Sequence, residues 1–183
     1  MKLDRRFFAQ PADKLAPLLL GTIVVRHIGR SIRRARVVET EAYLGPRDLA
    51  SHASKGRTLR TEMLFGPPGR AYVYFVYGLH WMFNVVCGST GEAHAVLLRA
   101  AEPLDHWHVD LTGPAKLARA MGITRVDNGL DLTGDKLYFQ SEPKYQPRVV
   151  STKRVGIEYA KHWKNRHLRF IDKANPVANK LRF

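Results

Sequence analysis

Residues 66–84 read "GPPGRAYVYFVYGLHWMFN", in which closely spaced aromatic residues surround a central glycine. The apolar segments on either side of Gly78 favour two strands joined by a tight turn. Alternation along the first strand places Tyr72 and Tyr74 on one face and Tyr77 on the other. Because large aromatic residues occur on both faces, this strand is either buried on both sides or presents one face as a stacking surface.

The predicted turn would expose Tyr77, Leu79 and His80 at the tip of a hairpin. Side chains of this kind can wedge between base steps in a minor groove and kink the duplex. Aromatic residues that simply fill a strand core are the more frequent case for any single tyrosine. The residues of the stretch leave both interpretations open.

The charge of the chain favours a polyanionic partner. Its 183 residues include 30 Lys and Arg against 16 Asp and Glu, which gives a formal net charge of +14. A soluble domain this basic usually binds nucleic acid. An anionic membrane is less favoured, because no basic amphipathic helix is evident and the apolar run 15–25, broken by Pro17 and Gly21, is too short to cross a bilayer. We therefore expect an intracellular protein with no membrane partner.

Metal and disulfide chemistry are not expected. Cys87 is the single cysteine, so an internal disulfide is excluded, and its apolar surroundings predict a buried residue and not a nucleophile. The histidines show no zinc-ligand spacing. The sequence therefore predicts no metal site and no other cofactor.

Strands dominate the remaining pattern. Helices are predicted at residues 11–21 and 113–123, and the second has a proline near its start and a glycine past its end. Strands are predicted at residues 22–28, 33–43 and 94–103. No internal repeat or long linker divides the chain. The pattern favours one mixed α+β or mostly β domain with few helices.

Two glutamates in "RVVETEAY" (residues 36–43) are the first candidates for chemistry. In a strand, Glu39, Glu41 and Tyr43 share one face. Carboxylates repel phosphate, so a pair of them in so basic a protein favours a general base or an electrostatic stabiliser in a pocket. The alternative is an exposed strand face with ion pairs to nearby arginines, namely Arg33, Arg34 or Arg36.

Arg99 interrupts the apolar strand "HAVLLRAAEP" (residues 94–103). A buried arginine is costly unless it is paired, so it would need an acidic partner on an adjacent strand, such as Glu41 or Glu39. The alternative is an edge strand on which Arg99 faces water.

Several basic residues are candidates for phosphate contacts. The predicted start of the helix at residue 113 would offer backbone N–H groups with Lys116 one turn inside, an arrangement suited to an anion. The C-terminal segment is predicted to form a solvated basic face that would contact phosphates on DNA. Its basic residues are Lys153, Arg154, Lys161, Lys164, Arg166 and Arg169.

These segments together resemble the alkyladenine DNA glycosylase family, the 3-methyladenine glycosylases of the vertebrate type. The matching motifs are "RVVETEAYLGPRDLASH", "YVYFVYGLHWMFNVV", "VLLRAAEPL", "GPAKLARAMGI" and "KRVGIEYAKHW", in the family's order. They extend over roughly residues 36–170, and the first two are long and specific.

The resemblance implies a role for individual residues. Glu41 would be the general base that activates water, and Arg99 would help to hold that water. A backbone carbonyl within residues 155–157 would also contact it. The remaining residues that the resemblance implies are Tyr43, His52 and Tyr74 around the flipped base, Asn84 at the pocket floor against the guanine 2-amino group, Tyr77 as the intercalating side chain, and Leu79 and His80 beside it.

The resemblance also implies a fold and a partner. The fold would be a single compact domain over residues 1–183, built around a curved antiparallel sheet with a protruding hairpin. Its substrate would be double-stranded DNA containing damaged purines, with no obligate protein partner, in the cytoplasm at the nucleoid. A non-catalytic nucleic-acid-binding domain and a bifunctional glycosylase with a lysine-dependent lyase step remain as alternatives.

Overall fold

The longest strand, β2 (Ser31–Leu44), organises the sheet in the computed structural model, which describes residues 1–105 and 107–181. Along one side it pairs with β5 (His94–Pro103). Along its other side, the first half pairs with β1 (Ile23–Ile28) and the second half pairs with β8 (Arg169–Asp172). The second half of β2 is therefore a central strand, and its side chains are shielded from both sides.

The remaining strands extend this sheet at both ends. β3 (Ala71–Val76) pairs with β4 (His80–Cys87), and β4 pairs with β5. At the other end, β1 pairs with β6 (Leu137–Gln140), while β7 (Val149–Thr152) pairs with β8. The strand order is β3-β4-β5-β2-β1-β6, and all of these pairs are antiparallel. The predicted single α+β domain around a curled antiparallel sheet is confirmed.

Helices are few and short, as predicted. They are α1 (Arg5–Phe8), α2 (Ala12–Leu19) and α3 (Pro114–Ala120). Single turns of 3₁₀-helix occur in the connections, at Gly45–Arg47, His52–Lys55, Glu62–Phe65, Arg125–Asp127, Lys161–Asn165 and Pro176–Lys180. Within the described ranges, no helix is long and apolar enough to cross a membrane.

The main core lies between one face of the sheet and the helices α2 and α3. Leu19, Leu98 and Leu117 are fully buried there, and each such side chain contributes about 1.5–3 kcal/mol by burial. Cys87 is buried in the same cluster, as predicted, and burial raises the pKa of its thiol. The sheet face that packs against α2 and α3 therefore forms the main core, and the opposite face of the sheet is available for a functional site.

Alternation along β5 separates the core from that opposite face. Val96 and Leu98 point into the core, whereas Leu97 and Arg99 line a cavity on the other side. The register between β2 and β5 skips Val38 and Arg99, since Val37 pairs with Ala101 and Thr40 with Leu98. Bulges of this kind re-aim side chains beside functional sites, and here the irregularity lies at Arg99 itself.

Three residues, Tyr77 to Leu79, connect β3 to β4, and Tyr77 and Gly78 are the central residues of a tight turn. The N–H of Leu79 donates to the carbonyl of Val76 at 3.1 Å, and both central residues have positive φ, at 53° and 65°. A turn with two left-handed residues matches the twist of the strands and normally carries Asn, Asp or Gly. A tyrosine in this conformation is strained by about 1–2 kcal/mol. The predicted hairpin tip is present, and Tyr77 is held there against its backbone preference.

Candidate active site

A cavity of about 260 Å³ opens on the face of the sheet opposite the core. Strands β2 to β5 supply most of its wall, and the loops after β2 and β7, together with Pro114 at the start of α3, supply the rest. Its aromatic and polar lining includes Tyr43, His52, Tyr72, Tyr74, Tyr77, Asn84, Arg99 and Tyr159. The strand-borne residues converge because each lies on the non-core face of its own strand.

Glu41 is fully buried beside this cavity. Its Oε2 accepts a hydrogen bond from the Tyr43 hydroxyl at 2.8 Å, and its Oε1 accepts one from the Val155 N–H at 2.8 Å. The Arg99 Nε lies 3.4 Å from the same Oε1. The alternative of an exposed glutamate face paired with Arg33, Arg34 or Arg36 is therefore wrong, because the second half of β2 is covered on both sides.

Arg99 is paired and largely buried, so the edge-strand alternative is wrong as well. Its Nε donates to Glu39 Oε1 at 2.8 Å, and β5 lies inside the sheet between β4 and β2. Arg169 on β8 approaches the same Glu39 oxygen at 2.6 Å. Two arginines and two glutamates thus form one cluster, in which Arg169 was wrongly expected on a solvated face.

Burial sets the protonation behaviour of Glu41. Removal from water raises the pKa of its carboxyl, and the charge of Glu39 acts in the same direction. Arg99, the Val155 N–H and the Tyr43 hydroxyl oppose this shift without cancelling it. Arg99 thus favours the carboxylate, but burial prevails and leaves Glu41 more basic than an ordinary glutamate.

Three aromatic rings form one wall of the cavity. The rings of His52 and Tyr74 have centroids 4.4 Å apart, and those of Tyr72 and Tyr74 are 5.3 Å apart. His52 Nδ1 lies 2.9 Å from the Tyr72 hydroxyl. Burial lowers the pKa of His52 to about 4, with a further contribution from Arg60. His52 is therefore neutral at physiological pH and does not repel a cationic base.

Asn84 lies on β4 in the wall of the cavity and is almost completely buried. Its Nδ2 donates to the carbonyl of Tyr72 at 3.2 Å, which fixes the side-chain amide across the β3–β4 pair. An amide held in this way presents a fixed obstacle to a ligand group that reaches the same depth. The pocket-floor role that the resemblance implies for Asn84 remains a prediction.

Arg154 corrects the sequence-based interpretation of the C-terminal segment. Its guanidinium forms two hydrogen bonds with Asp48, at 2.5 and 2.9 Å, and a third with the Ala42 carbonyl at 2.9 Å. It also stacks on the Tyr43 ring at 4.7 Å. The predicted phosphate contact is wrong, because this side chain is fully buried and supports a cavity residue from behind.

The other predicted DNA contacts are exposed. Leu79, His80 and Lys153 lie at the surface, and Tyr77 is 92% exposed. Lys116 is also exposed, but its Nζ pairs with Asp110 at 2.6 Å, so a phosphate would have to compete with that carboxylate. All five remain predictions.

Some cavity residues could not be identified from the sequence. Tyr159 lies at the rim, 68% exposed, and its hydroxyl is 3.4 Å from the Ala50 carbonyl. Arg60, which is not among the residues lining the cavity, lies over the Tyr74 ring at 5.8 Å. The only signal for Tyr159 was its place within the matching motif "KRVGIEYAKHW", and Arg60 gave none beyond its charge.

The arrangement is a buried carboxylate and arginine beside an aromatic cavity, next to an exposed tyrosine at a hairpin tip. A comparison with protein families matches residues 6–176 to the family described as Methylpurine-DNA glycosylase. The chain belongs to the methylpurine-DNA glycosylase family. The predicted enzyme class, a DNA-glycosylase hydrolase with DNA as its substrate, is thereby confirmed.

Relatives match over nearly the whole chain. A protein from Anaeromyxobacter sp. (strain Fw109-5) is 45% identical over 98% of this chain and 93% of its own length. One from Legionella pneumophila (strain Corby) is 42% identical over 98% of each chain. Both carry the name "Putative 3-methyladenine DNA glycosylase".

The described part of the chain contains no set of side chains suited to bind a metal ion. Among residues 1–105 and 107–181, no group of three or more His, Cys, Asp and Glu side chains is arranged to hold a metal ion.

Proposed function

We propose that the protein is a monofunctional purine DNA glycosylase of base excision repair. It would extrude an alkylated or deaminated purine from the duplex and hydrolyse its N-glycosidic bond with a water activated by Glu41. The proposed substrates are 3-methyladenine, 7-methylguanine, hypoxanthine and ethenoadenine. The fully buried Glu41 carboxylate beside Arg99 at an aromatic cavity carries this proposal, since a protein that only binds DNA gains nothing from a negative charge there.

Base flipping explains the aromatic wall and the hairpin tip. A base in a duplex cannot reach a recessed carboxylate, so it must rotate out, at a cost of a few kcal/mol that is smallest for damaged or mispaired bases. Stacking against Tyr43, His52 and Tyr74 returns about 1–3 kcal/mol. Tyr77, exposed at the tip beside the cavity, would fill the gap left in the base stack.

The chemical step uses the charges beside the cavity. As the glycosidic bond lengthens, the sugar acquires positive charge, which the Glu41 carboxylate stabilises. Glu41 accepts a proton from water as the water oxygen bonds to the anomeric carbon and the purine leaves with the bonding electron pair. Cationic alkylpurines leave readily, and neutral His52 permits their entry. A neutral purine such as hypoxanthine needs a proton in order to leave.

An excision assay on a panel of defined lesions tests this function. Duplexes that each carry one lesion are incubated with the protein and then treated with hot alkali, which cleaves at abasic sites. We expect cleavage after alkali for the damaged purines and no covalent adduct with borohydride. An adduct would establish the lyase alternative, and binding without any abasic product would establish the binding-domain alternative.

Tyr77→Asn is expected to impair excision from duplex DNA by about 30- to 100-fold while leaving excision from single strands nearly unchanged. The Tyr77 side chain is needed only where base flipping opens a gap in the base stack. The few kcal/mol that unstacking costs corresponds to a 30- to 100-fold change in rate. Asparagine tolerates the left-handed conformation, so thermal stability should rise. Excision rate constants on duplex and single-stranded DNA measure the first effect, and thermal melts measure the change in stability.

Phe75→Leu is the matched control for Tyr77. It removes an exposed aromatic ring from the same hairpin, where Phe75 packs against Trp81 at 4.6 Å, but not from the tip. Equal losses on duplex and single strand in the Tyr77 variant would assign this residue to folding instead of DNA distortion.

Asn84→Ser is expected to increase the release of undamaged or 7-methylated guanine by roughly tenfold. The shorter side chain removes a clash with the 2-amino group, and one such group changes discrimination by about that factor. The measurement is guanine release from alkylated and unmodified duplexes. A folded variant with unchanged guanine release would contradict a position of Asn84 against this edge of the base.

A further inference from the structure

One N–H group of Arg99 lies between two carboxylates. Its Nε is 2.8 Å from Glu39 Oε1 and 3.4 Å from Glu41 Oε1. A single N–H makes one strong hydrogen bond, and only the shorter contact has the geometry of one. Glu39 is therefore the main hydrogen-bond acceptor of the Arg99 Nε–H group. Glu41 has the positive charge of Arg99 nearby but does not accept a strong hydrogen bond from this N–H group.

Arg169 holds Glu39 in place from β8. Its Nε donates to Glu39 Oε1 at 2.6 Å, and both side chains are almost fully buried, at 4% and 2% exposure. In the β2–β8 ladder, Arg169 stands opposite Glu41 itself. Glu39 thus lies between two guanidinium groups, one from each neighbouring strand, and its position is set by both.

We propose that Glu39 is a positioning residue: by accepting the Arg99 Nε–H, it keeps the guanidinium from closing on Glu41 and leaves Glu41 free to take a proton from water. This proposal rests on the proposed function, in which Glu41 is the general base. Glu39 itself contacts neither substrate nor water in this role. It acts on Glu41 by holding Arg99, and its own negative charge adds to this effect.

The groups that face Glu41 decide the expected pH effect. They are Arg99 from β5, Glu39 and the Tyr43 hydroxyl from β2, Tyr74 from β3, the Val155 N–H after β7, and Arg169 across the ladder from β8. Loss of the Glu39 charge removes a like charge and releases Arg99 toward Glu41. Both changes lower the pKa of Glu41.

Glu39→Gln tests the proposal through the pH dependence of single-turnover hypoxanthine excision. Glu41 must be deprotonated to act, so the rate rises with pH through its pKa on the acid side. A lower pKa moves this acid limb to lower pH, by roughly one unit, and a weaker base lowers the plateau by about tenfold. Glu39→Asp, which keeps the charge, should retain the limb close to the wild-type position.

The double variant Glu39→Gln/Arg169→Gln guards against misfolding. It removes one charge of each sign from the buried cluster, so the net charge of the cluster stays unchanged. We expect the same shift of the acid limb with a smaller loss of melting temperature than in Glu39→Gln. If Glu39→Gln does not fold, the position of the acid limb in the double variant tests the proposal.

The proposal would be overturned if the folded variants showed the acid limb of the pH–rate profile at the wild-type pH and differed only in a lower melting temperature. Glu39 would then be part of a structural ion pair only. Failure of the proposed function has a different signature. In that case the wild-type protein excises no lesion, or Glu41→Gln excises at the wild-type rate, whatever the Glu39 variants do.

Discussion

Glu41→Gln is expected to slow single-turnover excision of hypoxanthine by about 10²–10⁴-fold. The substitution keeps the size of the side chain and removes its charge and basicity. The lost stabilisation of a positively charged sugar adds to the lost proton transfer. Binding to lesion DNA should persist or tighten, because a negative charge near phosphates is removed. A rate assay and a binding titration on the same duplex separate the two effects.

Leaving-group quality gives this prediction a second readout. 3-Methyladenine departs more easily than hypoxanthine, so its excision should be less sensitive to Glu41→Gln. Glu102→Gln is a suitable control, because Glu102 also bonds an arginine from the sheet, at 3.2 Å from Arg36. Its partners Arg36 and Asn175 do not line the cavity, whereas the Glu41 partners Tyr43 and Val155 do. Undiminished hypoxanthine excision by folded Glu41→Gln would remove Glu41 from the mechanism.

The sequence alone offers Glu39 as the natural control for Glu41, since both lie on the same strand face. The structure makes Glu39 unsuitable for that purpose. Its carboxylate binds the same Arg99 N–H that lies near Glu41, so Glu39→Gln is expected to change the chemistry indirectly. Glu102 on β5 avoids this coupling.

Arg154→Met is expected to lower the free energy of unfolding by about 3–5 kcal/mol. The substitution would leave Asp48 fully buried without its bidentate partner, and an uncompensated buried charge is strongly destabilising. The Tyr43 ring would also lose the guanidinium that stacks on it at 4.7 Å. Urea or thermal unfolding measures the change.

Lys153→Met is the matched control for Arg154. The adjacent Lys153 is exposed, and such surface substitutions usually change stability by no more than about 0.5 kcal/mol. If Arg154 served as a phosphate contact, Arg154→Met would weaken DNA binding and leave unfolding unchanged. That result would contradict the structural role assigned here.

Local pattern was sufficient to predict much of the fold. Alternation in β2 predicted that Glu39 and Glu41 share a face, and the glycine at position 78 predicted the turn of the hairpin. These features depend on neighbours in the chain, because side-chain direction in a strand has a period of two and a tight turn needs particular backbone angles. The catalytic and base-binding roles came from motif resemblance, since periodicity carries no information about chemistry.

The burial of charged residues was decided by tertiary structure alone. Arg154 and Arg169 lie in a segment with the composition of a solvated basic face, next to residues such as Lys153 that are indeed exposed. They are buried because their carboxylate partners, Asp48 and Glu39, come from positions 106 and 130 residues earlier in the chain. A guanidinium is stable inside a protein only where a counter-charge and hydrogen-bond acceptors meet it, and that meeting depends on how distant strands and loops pack together.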